Sequence, residues 1–249
     1  MKAIIYAAGT GRRLEGRFGP RPKLLIEFGG RSLLDWHIQR LKEVGCEDLV
    51  VVTGYLREPL EAELMLLGRR HKLRTRALCN PDFMEGSVLS FAVSIPELEA
   101  QSEPLLLMDG DVLYPAEMLR RLWRSSHPTA LLVDRDYSTA DDDPVLVPMR
   151  AGRPFDFCKK WKGEADAVGE SIGFFKCDPR DLPRLIKETR HRMSGPSRRD
   201  SYDDVLRILV LEGRFGAEDV TGLPWTEIDF PSDADRAENE VLPAILRLQ

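Results

Sequence analysis

The residues most able to do chemistry stand at the two ends of the chain and near its middle. Gly9-Thr10-Gly11-Arg12-Arg13 follows the apolar run Ala3-Ile4-Ile5-Tyr6-Ala7-Ala8, and Lys23 waits behind Pro22. Glycine removes the Cβ that keeps a ligand from the backbone, so such a loop can present bare N–H groups to a polyphosphate while the cations neutralise it. Asp109-Gly110-Asp111 ends a second apolar run, Leu105 to Met108. Two carboxylates with one glycine between them at a strand end can share a hard cation such as Mg²⁺, which keeps several waters and takes one or two protein carboxylates beside phosphate oxygens. A third carboxylate is available late, within Glu227-Ile228-Asp229-Phe230-Pro231. The structural alternatives are an ordinary strand-to-helix turn at the glycines and a solvated turn at the Asp-Gly pair.

Two other glycine-loop chemistries do not fit. A dinucleotide fingerprint needs a third glycine where Leu14 stands, and a P-loop needs its lysine nearer and followed by a hydroxyl. No Ser/His/Asp or Cys/His set is evident, and His37, His71, His127 and His191 read as surface or structural residues.

These residues must be carried by elements. The first half alternates strand and helix: Ser32 caps a helix that Gly45 stops, and Leu49 to Thr53 is a strand apolar enough to be covered on both faces. A helix over 57–67 and a strand over 74–79 follow, then a helix opened by Gly86-Ser87 and closed by Pro96. This βαβα order predicts an α/β fold, Rossmann-like, with a mainly parallel sheet, whose ligands sit beyond the carboxyl ends of the strands. From Thr129 the rhythm changes to strands over 129–133, 145–149, 155–157 and 172–176, with a turn at Ala151-Gly152, then helices over 182–192 and 202–211. A last strand over 225–230 precedes a helix from Ser232 to about Leu246, with Asp233 and Asp235 as its N-terminal acids. No linker stands out, so residues 1–249 read as one domain with a nucleotide-binding half to about 128 and an acceptor-binding half from about 129.

Composition excludes several partners. The 249 residues hold 36 basic and 41 acidic side chains, a net charge of −5, which gives no general attraction for nucleic acid or anionic lipid. Cys46, Cys79, Cys158 and Cys177 are too scattered for a redox pair or a zinc site and read as free thiols suited to a reducing cytoplasm. No apolar run reaches membrane-spanning or signal-peptide length, so the expectation is a cytoplasmic protein. A homodimer is compatible with the sequence, which does not fix the oligomeric state.

The order A-A-G-x-G-x-R-L…P-K, carried by Ala7, Ala8, Gly9, Thr10, Gly11, Arg12, Arg13 and Lys23, resembles the signature of the nucleotidyltransferase superfamily that makes NDP-sugars and CDP-alcohols. The chain is most similar to its small phosphocholine cytidylyltransferase-type branch, with Tyr6 standing where an aliphatic residue is usual. The resemblance implies a GT-A-like nucleotidyltransferase fold and Mg²⁺-dependent transfer from an NTP, CTP in that branch, to a small phosphorylated acceptor. It implies a metal site of Asp109, Asp111 and Asp229, with Arg13, Lys23, Asp109 and Asp229 catalytic. It also implies that Asn80, Gly86 and Ser87 reach across base and ribose, although Ser87 serves equally as a helix cap. Lys159 and Lys160 are candidates for the acceptor phosphate, or a solvated face, and Glu170 lies in a further lining segment. Tyr202, Asp203 and their neighbours Asp200 and Asp204, with Trp161 and Trp225, suit a cationic acceptor; core packing and helix capping are the alternatives.

Overall fold

The computed structural model describes residues 1–137 and 144–248. In chain order the main elements are β1 (Lys2–Tyr6), α1 (Leu33–Glu43), β2 (Asp48–Thr53), α2 (Arg57–His71), β3 (Arg74–Cys79), β4 (Leu105–Asp109), β5 (Thr129–Asp134), β6 (Leu146–Arg150), β7 (Ala167–Cys177), α3 (Leu182–Met193), α4 (Asp203–Leu211) and β8 (Phe215–Asp219). The α/β class expected from the alternation is what the structure shows.

Contacts group the chain into two compact units built from interleaved segments. The first comprises Met1–Met84, Met108–Arg120 and Leu223–Gln249, and the second Glu85–Leu107 and Arg121–Gly222. In the first unit β1, β2 and β3 are parallel neighbours in that order, with Ile4 opposite Val50 and Val50 opposite Arg76. Ala3, Ile4 and Ile5 and the whole of Leu49–Val52 are fully buried, which is why these strands read as unbroken apolar runs. Ser32 caps α1 by accepting from the Asp35 N–H at 3.2 Å, as its position predicts.

In the second unit β5 pairs parallel with β8 and antiparallel with β7, and β7 pairs antiparallel with β6. The Ala151-Gly152 turn joins β6 to Arg153–Pro154, both residues taking positive φ (49° and 73°), the pairing that a two-residue hairpin requires. Several expectations are corrected here. Pro96 does not close a helix but sits in the first turn of Ile95–Glu99, where its missing N–H has no partner to lose. Residues 155–157 are not a strand; the chain pairs two residues earlier. The late strand shrinks to Thr226–Glu227, and the helix after it is Pro231–Arg236 continued through a π-turn at Ala237–Val241 into Leu242–Arg247. β8 has no counterpart in the sequence reading.

The four cysteines form no disulfide. Among the described residues no helix is long and apolar enough to cross a membrane.

Helix α2 lies close to β3 at Gly68, where a Cβ would come within 2.4 Å of Thr75 Oγ1 and 2.8 Å of its Cγ2. Alanine is the better helix former by about 1 kcal/mol. Overpacking costs about 1–3 kcal/mol, so Gly68→Ala is expected to lower stability in urea denaturation, and Thr75→Ala in the same chain to recover most of the loss. A stabilised single variant would contradict this packing.

Candidate active site

Strand β1 delivers the chain directly into the glycine loop. The Ala7 N–H still bonds Val52 O at 2.9 Å, continuing the β1–β2 ladder, and Ala8 O accepts from Tyr55 N at 3.1 Å. Gly9 faces open space, with nothing within 4 Å of where its Cβ would be. Gly11 takes φ 59° and starts the short 3-10 turn Arg12–Leu14, placing Arg12 and Arg13 outward and burying Leu14. That burial is the physical reason a third glycine is absent: position 14 is core.

Three carboxylates converge beside this loop. Asp111, Glu227 and Asp229 each offer an oxygen within 4.8 Å of the others. Asp111 comes from the turn after β4, and the others from the late segment, which is zipped to that turn. Glu227 is opposite Val112 in an antiparallel pair, and Ile228 N–H donates to Asp111 O at 2.8 Å. Strand alternation then places Glu227 and Asp229 on one side and the fully buried Ile228 on the other. Asp233 acts as the helix N-terminal acid expected of it, its Oδ2 accepting from the N–H groups of Asp229 (2.9 Å) and Phe230 (2.7 Å). Asp109 is not one of the three clustered carboxylates.

Two cations answer this charge. Lys23 Nζ donates to Asp111 Oδ2 at 2.8 Å and also to Asp229 Oδ1, and Arg13 donates to Asp229 Oδ2 at 3.0 Å while lying 4.7 Å over the Phe230 ring. Burial alone would lower the Lys23 pKa, but the Asp111 and Asp229 charges outweigh it and hold the ammonium above its ordinary range. Glu227 titrates well above the usual carboxylate range, because surrounding groups displace its water and because Asp111 and Asp229 face it with like charge. An all-oxygen donor set of this kind fits a hard divalent cation such as Mg²⁺.

Behind the cluster, His37 is fully buried in α1. Its Nε2 lies 3.0 Å from Gly110 O and its Nδ1 3.2 Å from the Tyr114 hydroxyl. Burial lowers its pKa to about 4, so the ring is neutral at pH 7. The structural role expected of His37 holds, but its target, 73 residues away in the carboxylate turn, had no sequence signal. Glu227 did have one: it is two residues from Asp229, the spacing that shares a strand face.

The remaining candidates fall as follows. Thr10 and the exposed Arg12 stay with the loop. Asn80, 2% exposed, turns its Oδ1 to the Asp82 N–H at 3.0 Å in the first unit. Gly86 and Ser87 belong to the second unit. Gly86 meets the backbone of Arg199 and Asp200, where a Cβ would come within 2.4 Å, and Ser87 Oγ accepts from Tyr202 N at 3.0 Å instead of capping its own helix. Tyr202 is a core residue, buried and stacked on Phe91 at 6.1 Å. Asp203 accepts from Ser201 Oγ at 2.7 Å, and Asp200 is paired with Arg192. Lys159 and Lys160 are exposed; Glu170 is buried in β7 opposite Asp134. Trp161 packs edge-on against Phe155, and its indole N–H is buried without a hydrogen-bond partner among the described residues. Trp225 belongs to the first unit.

Removing Lys23 leaves the carboxylates facing one another. Lys23→Met is expected to lose about 1.5–3 kcal/mol of stability at pH 7, the range for a hydrogen bond to a charged group. Glu227, already raised by its like-charged neighbours, takes up a proton on acidification and relieves the repulsion, so the deficit shrinks from pH 7 toward pH 5. Chemical denaturation at the two pH values checks this; a deficit that is absent or grows on acidification refutes the charge account.

Comparison with known proteins gives a consistent answer. The MobA-like NTP transferase domain profile matches residues 3–172. The "Bifunctional IPC transferase and DIPP synthase" of Rubrobacter xylanophilus is 30% identical over 243 residues, covering 96% of this chain but 52% of that protein. The chain thus spans about half the length of that relative. The choline-phosphate cytidylyltransferase of Streptococcus pneumoniae is 41% identical over 164 residues, covering 61% of this chain and 66% of that protein. Among solved structures, the inositol-1-phosphate CTP transferase from T. maritima superposes with a TM-score of 0.78 at 24% identity, covering 98% and 95% of the two chains. A glycine loop with its cations, a carboxylate turn and a sequence match over two thirds of the chain agree: the protein belongs to the MobA-like NTP transferase domain family.

Proposed function

We propose that the chain transfers a cytidylyl group from CTP to a small phosphorylated alcohol, releasing pyrophosphate and forming a CDP-alcohol. The observation that carries the reading is the cluster of Asp111, Glu227 and Asp229 bound to Lys23 and Arg13 beside the open glycine loop. The cytidylyl assignment is supported by the names of the pneumococcal and T. maritima proteins.

The chemistry needs no protein nucleophile. A phosphomonoester, with a second pKa of about 6, is largely dianionic at pH 7. One of its oxygens attacks the α-phosphorus, a new P–O–P bond forms, and the bond from the α-phosphorus to the β-bridging oxygen breaks as pyrophosphate leaves. What the chain supplies is alignment and charge. The backbone of Ala8 to Gly11 cradles the triphosphate, and Arg13 and Lys23, with Arg12 beside them, exchange carboxylate for phosphate partners and hold the departing pyrophosphate. Asp111, Glu227 and Asp229 would hold Mg²⁺, which when bound supplies charge neutralisation at the reacting phosphates.

Asp111→Asn and Asp229→Asn are each expected to lower kcat by about 10²- to 10³-fold, the scale for losing one preorganised electrostatic contact. Asp109→Asn, outside the cluster, is expected to lose less. Coupled pyrophosphate release on folded variants is the measurement, and near-parent rates for Asp111→Asn and Asp229→Asn overturn the reading.

For the acceptor, the first reading is phosphocholine or a related cationic phosphate, supported by the aromatic Trp161, which follows Lys159 and Lys160 in the chain. A second reading, an inositol phosphate, is favoured by two observations. Tyr202 packs in the core and Asp200 pairs with Arg192, which withdraws two of the expected cation-binding groups. Similarity to the Rubrobacter IPC transferase also runs along 96% of the chain. At saturating CTP, the first reading expects phosphocholine to exceed inositol-1-phosphate and glucose-1-phosphate in kcat/KM; the opposite ranking replaces it with the second. Activity with UTP but not CTP overturns the base assignment alone.

A further inference from the structure

The turn that carries Asp111 is held by contacts on both sides of one peptide unit. Gly110 N–H donates to Tyr6 O at 3.2 Å, the last residue of β1, and a Cβ on Gly110 would meet Ile5 Cγ2 and Tyr6 O at 3.1 Å and Ala7 Cβ at 3.2 Å. Its carbonyl oxygen faces His37 Nε2, and Asp111 O accepts from Ile228 N–H. Of these contacts, His37 alone is made by a polar side chain.

A carbonyl oxygen only accepts, so Nε2 carries the imidazole proton. The Tyr114 hydroxyl donates to the bare Nδ1 and fixes that tautomer. Both side chains are deeply buried, His37 fully and Tyr114 to 2% exposure, and their rings meet at 5.3 Å. Gly110 itself is buried. A buried carbonyl deprived of its donor loses about 1–3 kcal/mol, and glycine, having no Cβ, resists peptide rotation less than any other residue. Rotation of the Gly110–Asp111 peptide swings the Asp111 side chain out of line.

We propose that His37 is a positioning residue for nucleotidyl transfer: through its hydrogen bond to the Gly110 carbonyl it fixes the peptide from which Asp111 projects toward Glu227 and Asp229. The inference rests on reading those three carboxylates as a divalent-cation site. Groups that orient metal ligands without touching the metal typically change affinity by 10- to 100-fold when removed, which sets the size of the expected effect.

The test uses the full chain with Mn²⁺ as the probe and no nucleotide, free Mn²⁺ being read by electron paramagnetic resonance. Folded His37→Leu is expected to bind Mn²⁺ about 10- to 100-fold more weakly than the parent, to show faster amide exchange at Asp111 and Val112, and to lose kcat with little change in the KM for the nucleotide. His37→Gln, whose amide nitrogen stands near the Nε2 position, is expected to recover most of the affinity. Tyr114→Phe, which removes only the hydroxyl, is expected to fall between. His37→Leu within about twofold of the parent, or His37→Gln no better than His37→Leu, overturns the proposal. Should His37→Leu fail to fold, parent-like Mn²⁺ affinity in Tyr114→Phe overturns it instead. The underlying reading fails separately: if Asp111→Asn and Asp229→Asn bind Mn²⁺ as the parent does, the carboxylates are not the cation site. If those two lose Mn²⁺ and His37→Leu keeps it, only the positioning role falls.

Discussion

Like charges held within a few ångströms of one another must be balanced, and that requirement organises the first unit around Lys23 and Arg13. Asp111, Glu227 and Asp229 come from a mid-chain turn and a late segment, and both places must be brought to the glycine loop before the two cations can reach them. The loop itself is an extension of a fully buried strand, so its position is set by the sheet and not by the ligand it receives. Electrostatic repulsion is tolerated because the compensating charges of Lys23 and Arg13 hydrogen-bond the carboxylates directly. In the proposed reaction the same side chains change partners when phosphate arrives.

Hydrogen bonds to the main chain do the placing. Ile228 to Asp111 ties the late segment to the turn, and Gly110 to Tyr6 ties the turn to β1; each joins residues with no local reason to meet. The Asp233 carboxylate, four residues on, then holds the Asp229 amide. A carboxylate on an untethered loop would relax away from its neighbours; here the main chain permits no such retreat.

Much of this was legible in the sequence, for identifiable reasons. Buried strands betray themselves as unbroken apolar runs, which is why β2 and β4 were readable nearly to the residue. The glycine loop, Lys23 and the Asp-Gly-Asp turn were visible because they are local patterns. Glu227 is legible only through its alternation with Asp229, a weak period-two signal in a strand of two residues. His37 could not have been singled out: an unremarkable histidine on an amphipathic helix acquires its partners only through tertiary contact. The acceptor side was least readable. Tyr202 and Asp200 look like ligand-binding residues in one dimension, but in the fold they satisfy Phe91 and Arg192. The interleaving of the two units was equally invisible, because a sequence displays contiguous halves and contact does not respect contiguity.

The linkage of Asp229 to Lys23, across 206 residues, has a consequence for synthesis. At about 5–20 residues per second, the segment holding Glu227 and Asp229 leaves the ribosome on the order of ten to forty seconds after the glycine loop. Throughout that interval the nascent first unit has its parallel strands and its glycine loop, but neither the strand that covers the Asp111 turn nor two of the three carboxylates. On the proposed reading, catalytic competence is therefore acquired late, when the segment holding Glu227 and Asp229 docks on a sheet that has long been available to fold. Non-local closure of this kind is slow, and a chain interrupted before it occurs is left with an ordered core and an incomplete centre.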